Sequence, residues 1–133
     1  MKEKIFLDSN LFEFFSKTGG EFSDIFKKIF SENLTTDVKS LQEIVYRYHL
    51  SGATETGYKN AMLLRKKIEI LPITKKDLNT QERLLERYPN VKPRELLHTA
   101  VMINNNINKI ICSPESNYSE VEELNVENIE KIF

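Results

Sequence analysis

The stretch Ile5-Phe6-Leu7-Asp8-Ser9-Asn10 decides the fold of this chain. Its three apolar residues form a short, continuous run that ends at an aspartate. Such a run is typical of a strand that is covered on both faces, as in a parallel sheet between two layers of helices. Ser9 or Asn10 can then cap a helix that starts directly after the strand. The stretch therefore predicts a buried strand that places Asp8 at the end of a sheet.

Apolar runs typical of strands alternate along the rest of the chain with amphipathic stripes typical of helices. Further strands are predicted at 33–35, 70–73, 109–112 and near 124–126, and helices at 11–15, 22–30, 41–48, 58–68, 75–88 and 93–101. Pro72 indicates an edge position or a strand end for the third strand. Strands separated by helices predict an α/β fold, a three-layer α/β/α sandwich with a mostly parallel central sheet, formed by one domain over residues 1–133.

The composition excludes several classes of protein. The chain has 19 basic and 20 acidic residues and a formal net charge of −1, which argues against wrapping nucleic acid by bulk charge. A single cysteine, Cys112, excludes an internal disulfide and a cysteine-based metal cage. No apolar run approaches the roughly 18 residues that cross a bilayer. Because the N-terminus is too short and too polar for a secretion signal, we expect a cytoplasmic protein.

Four carboxylates occupy positions where a site is expected. Asp8 follows the first strand, Glu115 lies three residues beyond the fourth strand, and Glu43 and Glu95 lie early in helices. In parallel α/β folds the helix starts approach the carboxyl ends of the strands, where sites form. Clustered oxygen ligands favour hard ions such as Mg²⁺ or Mn²⁺, which activate water and polarise a phosphodiester. The pattern therefore predicts a metal-dependent phosphodiesterase pocket.

A structural role is an alternative to a catalytic role for these acids. Among twenty acidic residues most are solvated surface, and Glu43 can simply pair with Arg47 four residues along its helix. Glu95, in the first turn of its helix, can stabilise that helix through a favourable interaction with the helix dipole. Asp8, at the end of a buried apolar strand, is the hardest to explain in this way.

Four blocks of the sequence together resemble the PIN-domain family. The first is the opening stretch that ends Asp8-Ser9-Asn10, and the second runs from Thr35 to Glu43 and on to Val45. The third, Pro93 to Ala100, resembles the family block in which an acid opens a helix, and the fourth, Ile110 to Tyr118, resembles a strand that runs into a final acidic loop. The blocks span nearly the whole chain in the family's order.

The resemblance is greatest to VapC-type toxins of prokaryotic toxin–antitoxin pairs. It implies a Mg²⁺- or Mn²⁺-dependent endoribonuclease that acts on RNA, often as a homodimer, and that an antitoxin inhibits. It implies a catalytic and metal-binding role for Asp8, Glu43, Glu95 and Glu115, with support from Ser9, Asn10 and Asn117. The family commonly has aspartate where this chain has Glu95 and Glu115, and a further acid where it has Asn117.

Other residues near these blocks have two possible roles each. Arg94 and Arg47 are the best-placed cations for a substrate phosphate, although most basic residues are solvated. We expect His98 to pack or hydrogen-bond near the site, and Cys112 to be a buried small hydrophobe rather than a nucleophile. The phenylalanines between residues 12 and 30 predict core packing first and a dimer or antitoxin contact second.

Three alternative functions stay open at this stage. A PIN-like domain with altered acids can bind RNA or protein without cutting it. An RNA-processing nuclease that is not a toxin would have the same motifs, and the neighbouring genes would distinguish it. A response-regulator receiver needs an acidic pair after the first strand and a lysine after the last, and this chain offers only Asp8.

Overall fold

The structure is a computed structural model that describes residues 3–11 and 33–128. Its five strands are β1 (Lys4–Leu7), β2 (Asn33–Asp37), β3 (Glu69–Leu71), β4 (Lys109–Cys112) and β5 (Asn125–Asn128). They form one sheet in the order β3-β2-β1-β4-β5, in which each neighbouring pair is parallel. The predicted parallel sheet is confirmed, and the strand before Pro72 is at its edge.

Within residues 33–128, four α-helices connect the strands. They are α1 (Val38–Leu50), α2 (Thr54–Lys67), α3 (Lys75–Arg87) and α4 (Pro93–Asn104), and a short 3₁₀ helix covers Tyr118–Glu120. Thr74 opens α3 as predicted, because the Asp77 carboxylate accepts a hydrogen bond of 2.8 Å from its backbone N–H. The predicted phenylalanine-rich helices at 11–15 and 22–30 lie outside the described residues, except for Leu11.

Alternate residues of β1 pack on opposite faces of the sheet. Ile5 and Leu7 belong to a core that includes Ile44 of α1 and Leu64 of α2. Phe6 belongs to the core on the other face, with residues of α4. A further cluster joins α3 to α4. This arrangement confirms the three-layer α/β/α sandwich.

The order of the strands determines where a site can form. After β1 the chain passes first to β2 on one side and later to β4 on the other. At such a switch point the connections diverge and leave a crevice outside the carboxyl ends of the strands. Asp8 follows β1 at this point, and α1 and α4 start near the same edge. Among the described residues, no helix combines the length and the apolar character that crossing a membrane requires.

Candidate active site

Asp8 is fully buried at the carboxyl end of β1. Its backbone N–H donates to the carbonyl of Ile111 at 3.2 Å, which continues the pairing of β1 with β4. Its Oδ1 accepts hydrogen bonds from Arg94 Nη2 at 2.7 Å and from the Tyr118 hydroxyl at 3.2 Å. The carboxylate is therefore held in place by the sheet and by groups from the C-terminal half of the chain.

Two more carboxylates meet Asp8 through the same arginine. Glu43 projects from α1 and accepts from Arg94 Nε at 2.5 Å. Glu95, in the first turn of α4, accepts from Arg94 Nη1 at 2.9 Å. Since side chains tilt toward the start of their helix, both glutamates reach back to the strand ends. The structure thus brings Asp8, Glu43 and Glu95 around one guanidinium group.

A buried histidine links Glu43 to an acid that sequence reasoning missed. His98 Nδ1 lies 2.6 Å from Asp37 Oδ2, and its Nε2 lies 3.2 Å from Glu43 Oε1. Asp37 is fully buried at the end of β2, where its Oδ1 also caps α1 through the backbone N–H of Ser40. A signal for it existed, because Asp37 ends one strand as Asp8 ends another. The predicted hydrogen-bonding role of His98 agrees with these contacts.

The histidine is held in its charged form. Because an ionised carboxylate can only accept hydrogen bonds, both ring nitrogens of His98 must donate. Burial alone would lower the pKa of His98, but the hydrogen bonds to Asp37 and Glu43 outweigh it and raise the pKa to about 9. Burial likewise favours the neutral form of Glu43, yet the hydrogen bonds from His98 and Arg94 lower its pKa to about 2.

Other titratable groups near the cluster are locked in one protonation state. Although burial opposes its charge, Arg94 has a raised pKa, chiefly because of the charge of Asp8. Burial, followed by the charge of Asp8, holds the pKa of Tyr118 well above its usual value, so the hydroxyl stays a donor. Burial raises the pKa of Cys112 to about 11. Cys112 is 3% exposed, as predicted for a small hydrophobe.

The turn after β1 contributes polar contacts to the cluster. Ser9 Oγ donates to Glu43 Oε1 at 3.1 Å and accepts from Arg94 Nη2 at 2.7 Å. Arg47 donates to the backbone carbonyl of Ser9 at 3.2 Å and to Asn10 Oδ1 at 2.5 Å. Ser9 therefore lies within the cluster, whereas Arg47 and Asn10 brace the turn beside it.

The residues after β4 differ in their exposure. Glu115 is exposed, in contrast to the buried Asp8 and Glu95. Asn117 donates to the carbonyl of Asn90 at 3.3 Å, while its own Oδ1 is buried and has no hydrogen-bond partner within the described part of the chain. The exposed side chain of Glu115 thus sets it apart from the buried acids of the cluster.

The fit of the predicted metal ion depends on Arg94. Over residues 3–11 and 33–128, no group of three or more acid, histidine or cysteine side chains is arranged to hold an ion. The guanidinium of Arg94 binds one oxygen of each clustered acid. Asp8 Oδ2 and Glu95 Oε2 nevertheless stay buried without a hydrogen-bond partner among these residues. The donors are of the kind that Mg²⁺ or Mn²⁺ prefers, and a cationic side chain lies between them.

No protein-family model and no curated protein matches this sequence. Solved structures do match its fold. A chain of VapBC2 from Rickettsia felis, bound to a DNA fragment from its promoter, has a TM-score of 0.73 at 15% identity, covering 94% of this chain and 98% of that one. A chain of VapBC-1 from nontypeable Haemophilus influenzae has a TM-score of 0.76 at 13% identity, covering 94% and 97%.

A third similar structure is VapC20 from Mycobacterium tuberculosis, a Sarcin-Ricin loop cleaving toxin. Its TM-score is 0.63 at 13% identity, and the match covers 80% of this chain and 86% of that one. At these identities the likeness concerns the backbone arrangement alone. The chain therefore has a VapC-like PIN-domain fold, as the four sequence blocks predicted.

Proposed function

We propose that this chain is an endoribonuclease that requires Mg²⁺ or Mn²⁺, and that it is the cytoplasmic toxin of a toxin–antitoxin pair. The observation that carries the proposal is the convergence of Asp8, Glu43 and Glu95 at the carboxyl edge of the sheet. The three acids come from distant points of the chain. Their meeting at the switch point of a VapC-like fold supports a phosphodiesterase site.

In this proposal Asp8, Glu43 and Glu95 would hold the divalent ion. Glu115 and Asn117, which come just before Tyr118 in the chain, would complete the site. When bound, such an ion supplies a Lewis acid that offsets negative charge on the phosphodiester and makes water more acidic. Tyr118 keeps Asp8 in place through its hydroxyl. His98 and Ser9 both donate to Glu43 Oε1, which fixes that carboxylate before substrate arrives.

The proposed substrate is RNA. One solved structure with the same fold is that of a toxin that cleaves the Sarcin-Ricin loop, which supports an RNA substrate but not a particular one. Arg47 lies beside the turn after β1 and Arg94 lies within the cluster, and both are proposed to contact the phosphates of the substrate.

A protein partner belongs to the same proposal. The similar structures from Rickettsia felis and Haemophilus influenzae are VapBC complexes. On α1 and α2 of this chain, Tyr46, Leu50, Tyr58 and Met62 are each more than half exposed. Large apolar side chains on a surface favour contacts with other proteins. We propose an inhibitory antitoxin and a homodimer as the partners.

One observation favours a second candidate function, a binding module that does not cut RNA. Arg94 already binds one oxygen of each acid that would hold the ion. A domain of this kind would keep the fold and bind RNA or protein without metal. Loss of RNA cleavage in Asp8→Asn would contradict it, because a module that only binds RNA has no cleavage to lose.

The experiment that tests the proposal is expression of the chain in bacterial cells. We expect the wild type to slow growth and Asp8→Asn to restore it, because the amide keeps the shape but loses the charge. Glu55→Gln, an exposed position on α2, removes the same charge far from the cluster and should stay toxic. Equal growth of wild type and Asp8→Asn at equal protein levels would contradict a nuclease toxin.

A further inference from the structure

The guanidinium of Arg94 occupies the centre of the carboxylate cluster. Its Nη2 lies 2.7 Å from Asp8 Oδ1, and its Nη1 lies 2.9 Å from Glu95 Oε1. Its Nε donates to Glu43 Oε2, and Nη2 also donates to Ser9 Oγ. All three nitrogens are thus engaged, each with a different carboxylate. A guanidinium is planar and has donors in a fixed fork, so this arrangement matches several acids at once, which a lysine ammonium could not do.

We propose that Arg94 is a built-in cation that competes with the divalent metal ion, so that metal binds the carboxylates with full affinity only after the guanidinium swings out. The inference rests on the proposed function in one respect, since it takes these carboxylates to be the metal site. It adds that the arginine sets the affinity of that site.

Two buried carboxylate oxygens without a hydrogen-bond partner indicate that the cluster can bind a cation in addition to Arg94. Asp8 Oδ2 and Glu95 Oε2 are buried and lack a hydrogen-bond partner among the described residues, although the other oxygen of each carboxylate binds Arg94. A buried carboxylate oxygen without a partner is costly. Departure of the guanidinium would also free Glu43 Oε2, so that oxygens of three acids would face one point.

The balance of charge supports the same conclusion. A single guanidinium, with one positive charge, contacts the side chains of three acids, Asp8, Glu43 and Glu95. Acidic side chains that are brought together in a buried site are stabilised by nearby cations. The cluster therefore keeps an attraction for a divalent ion even with Arg94 in place, and withdrawing Arg94 strengthens it.

The position of Arg94 allows it to leave while the acids stay. It is the second residue of α4, and its side chain is 20% exposed, compared with 0% for Asp8 and 2% for Glu95. A long side chain at the start of a helix can rotate into solvent without moving the backbone. Asp8 and Glu95, in contrast, are buried, and Tyr118 donates to Asp8. Glu43 is 18% exposed, but its Oε1 is held by Ser9 and His98. The anions form a rigid frame around a cation that can move.

The test is a titration of the folded protein with Mn²⁺, with free Mn²⁺ followed by electron paramagnetic resonance. We expect Arg94→Gln to bind Mn²⁺ at least about tenfold more tightly than the wild type. Arg87→Gln is the matched control, because it removes the same charge from an exposed pair with Glu122. It should bind Mn²⁺ as the wild type does. Asp8→Asn added to Arg94→Gln should abolish the gain.

A measurement on the wild type keeps the inference testable if Arg94→Gln fails to fold. In nuclear magnetic resonance spectra, Mg²⁺ should shift the Arg94 Nε–H signal and speed its exchange with water. Unchanged Mn²⁺ affinity in a folded Arg94→Gln, or Mg²⁺ saturation with an unchanged Arg94 signal, would overturn the inference. So would the absence of Mn²⁺ binding to both the wild type and the variant.

The outcomes separate this inference from the proposed function. If Arg94→Gln gains Mn²⁺ affinity but no form of the protein cuts RNA, the arginine competes with metal in a protein that is not a nuclease. If the wild type cuts RNA only with metal and the Mn²⁺ affinity does not depend on Arg94, the proposed nuclease function is supported and the inference about Arg94 is wrong.

Discussion

His98 donates a hydrogen bond of 2.6 Å from Nδ1 to Oδ2 of Asp37, and both side chains are completely buried. The pair joins α4 to the end of β2 and presents the second ring nitrogen of His98 to Glu43. A charged histidine between two carboxylates makes the stability of the fold and the geometry of the site depend on the same proton.

The first prediction concerns the pH dependence of stability. Since the pKa of His98 is raised from 6.5 to about 9, its contribution is fully present below pH 6.5 and is lost as the pH rises toward 9. We expect the free energy of unfolding to fall by up to roughly 3 kcal/mol over that window. Urea denaturation at several pH values measures it, and His98→Gln should remove most of the slope.

Glu43 has the opposite dependence. Its pKa is lowered from 4.5 to about 2, so its contribution is present above pH 4.5 and is lost as the pH falls toward 2. From these two groups alone, stability should be flat between pH 4.5 and pH 6.5. A stability that rises between pH 6.5 and 9 in the wild type would contradict the charged state assigned to His98.

The second prediction concerns the hydroxyl of Tyr118. Tyr118→Phe keeps the buried ring but removes the donor that lies 3.2 Å from Asp8 Oδ1. We expect a loss of about 1–2 kcal/mol in the free energy of unfolding, because a buried acceptor loses a partner. Tyr58→Phe, at a ring that is 57% exposed, is the control and should change stability little. Similar values for the two variants would argue against the Tyr118–Asp8 bond.

The third prediction concerns the packing of α1 on α2. A Cβ at Gly57 would lie 2.8 Å from Tyr48 Cβ and 3.2 Å from Val45 Cα. Alanine gains about 1 kcal/mol in helix propensity over glycine, but crowding in a packed contact costs about 1–3 kcal/mol. Gly57→Ala should therefore be net destabilising in thermal denaturation. Thr56→Ala, one residue earlier and exposed, should not be. A stabilised Gly57→Ala would contradict the prediction and would show that this contact relaxes at little cost.

The fourth prediction concerns Cys112. Its burial and its pKa of about 11 keep it a protonated thiol out of reach of reagents at neutral pH. We expect alkylation by iodoacetamide to be at least about a hundredfold slower in the native protein than in urea. Equal rates would indicate a thiol that is exposed in the folded state.

Much of the fold could be predicted from the sequence because it depends on local patterns. The continuous run at Ile5–Leu7 indicates a buried parallel strand, and Thr74 and Pro93 mark helix starts through their own chemistry. The positions of Asp8, Glu43 and Glu95 followed from the rule that helix starts face strand ends.

The contacts within the cluster could not be predicted in the same way. Arg94 binds three carboxylates because β1, α1 and α4 lie at the right distances from one another. The sequence shows only that Glu95 is next to Arg94, and this does not predict the other two contacts. The pairing of His98 with Asp37 joins residues that are 61 positions apart. Asp8 directly follows β1 and is buried, whereas Glu115 lies three residues beyond β4 and is exposed.

The most direct test of the central claim is cleavage of RNA by the purified protein. Wild type and Asp8→Asn are incubated with ribosomal RNA in Mn²⁺, with Glu55→Gln as the charge-matched control and chelator as the metal control, and the cut ends are mapped. We predict discrete cuts by the wild type and by Glu55→Gln, and at least about a hundredfold less cutting by Asp8→Asn or with chelator. Cleavage that survives in Asp8→Asn, or a folded wild type that leaves RNA intact, would contradict the account.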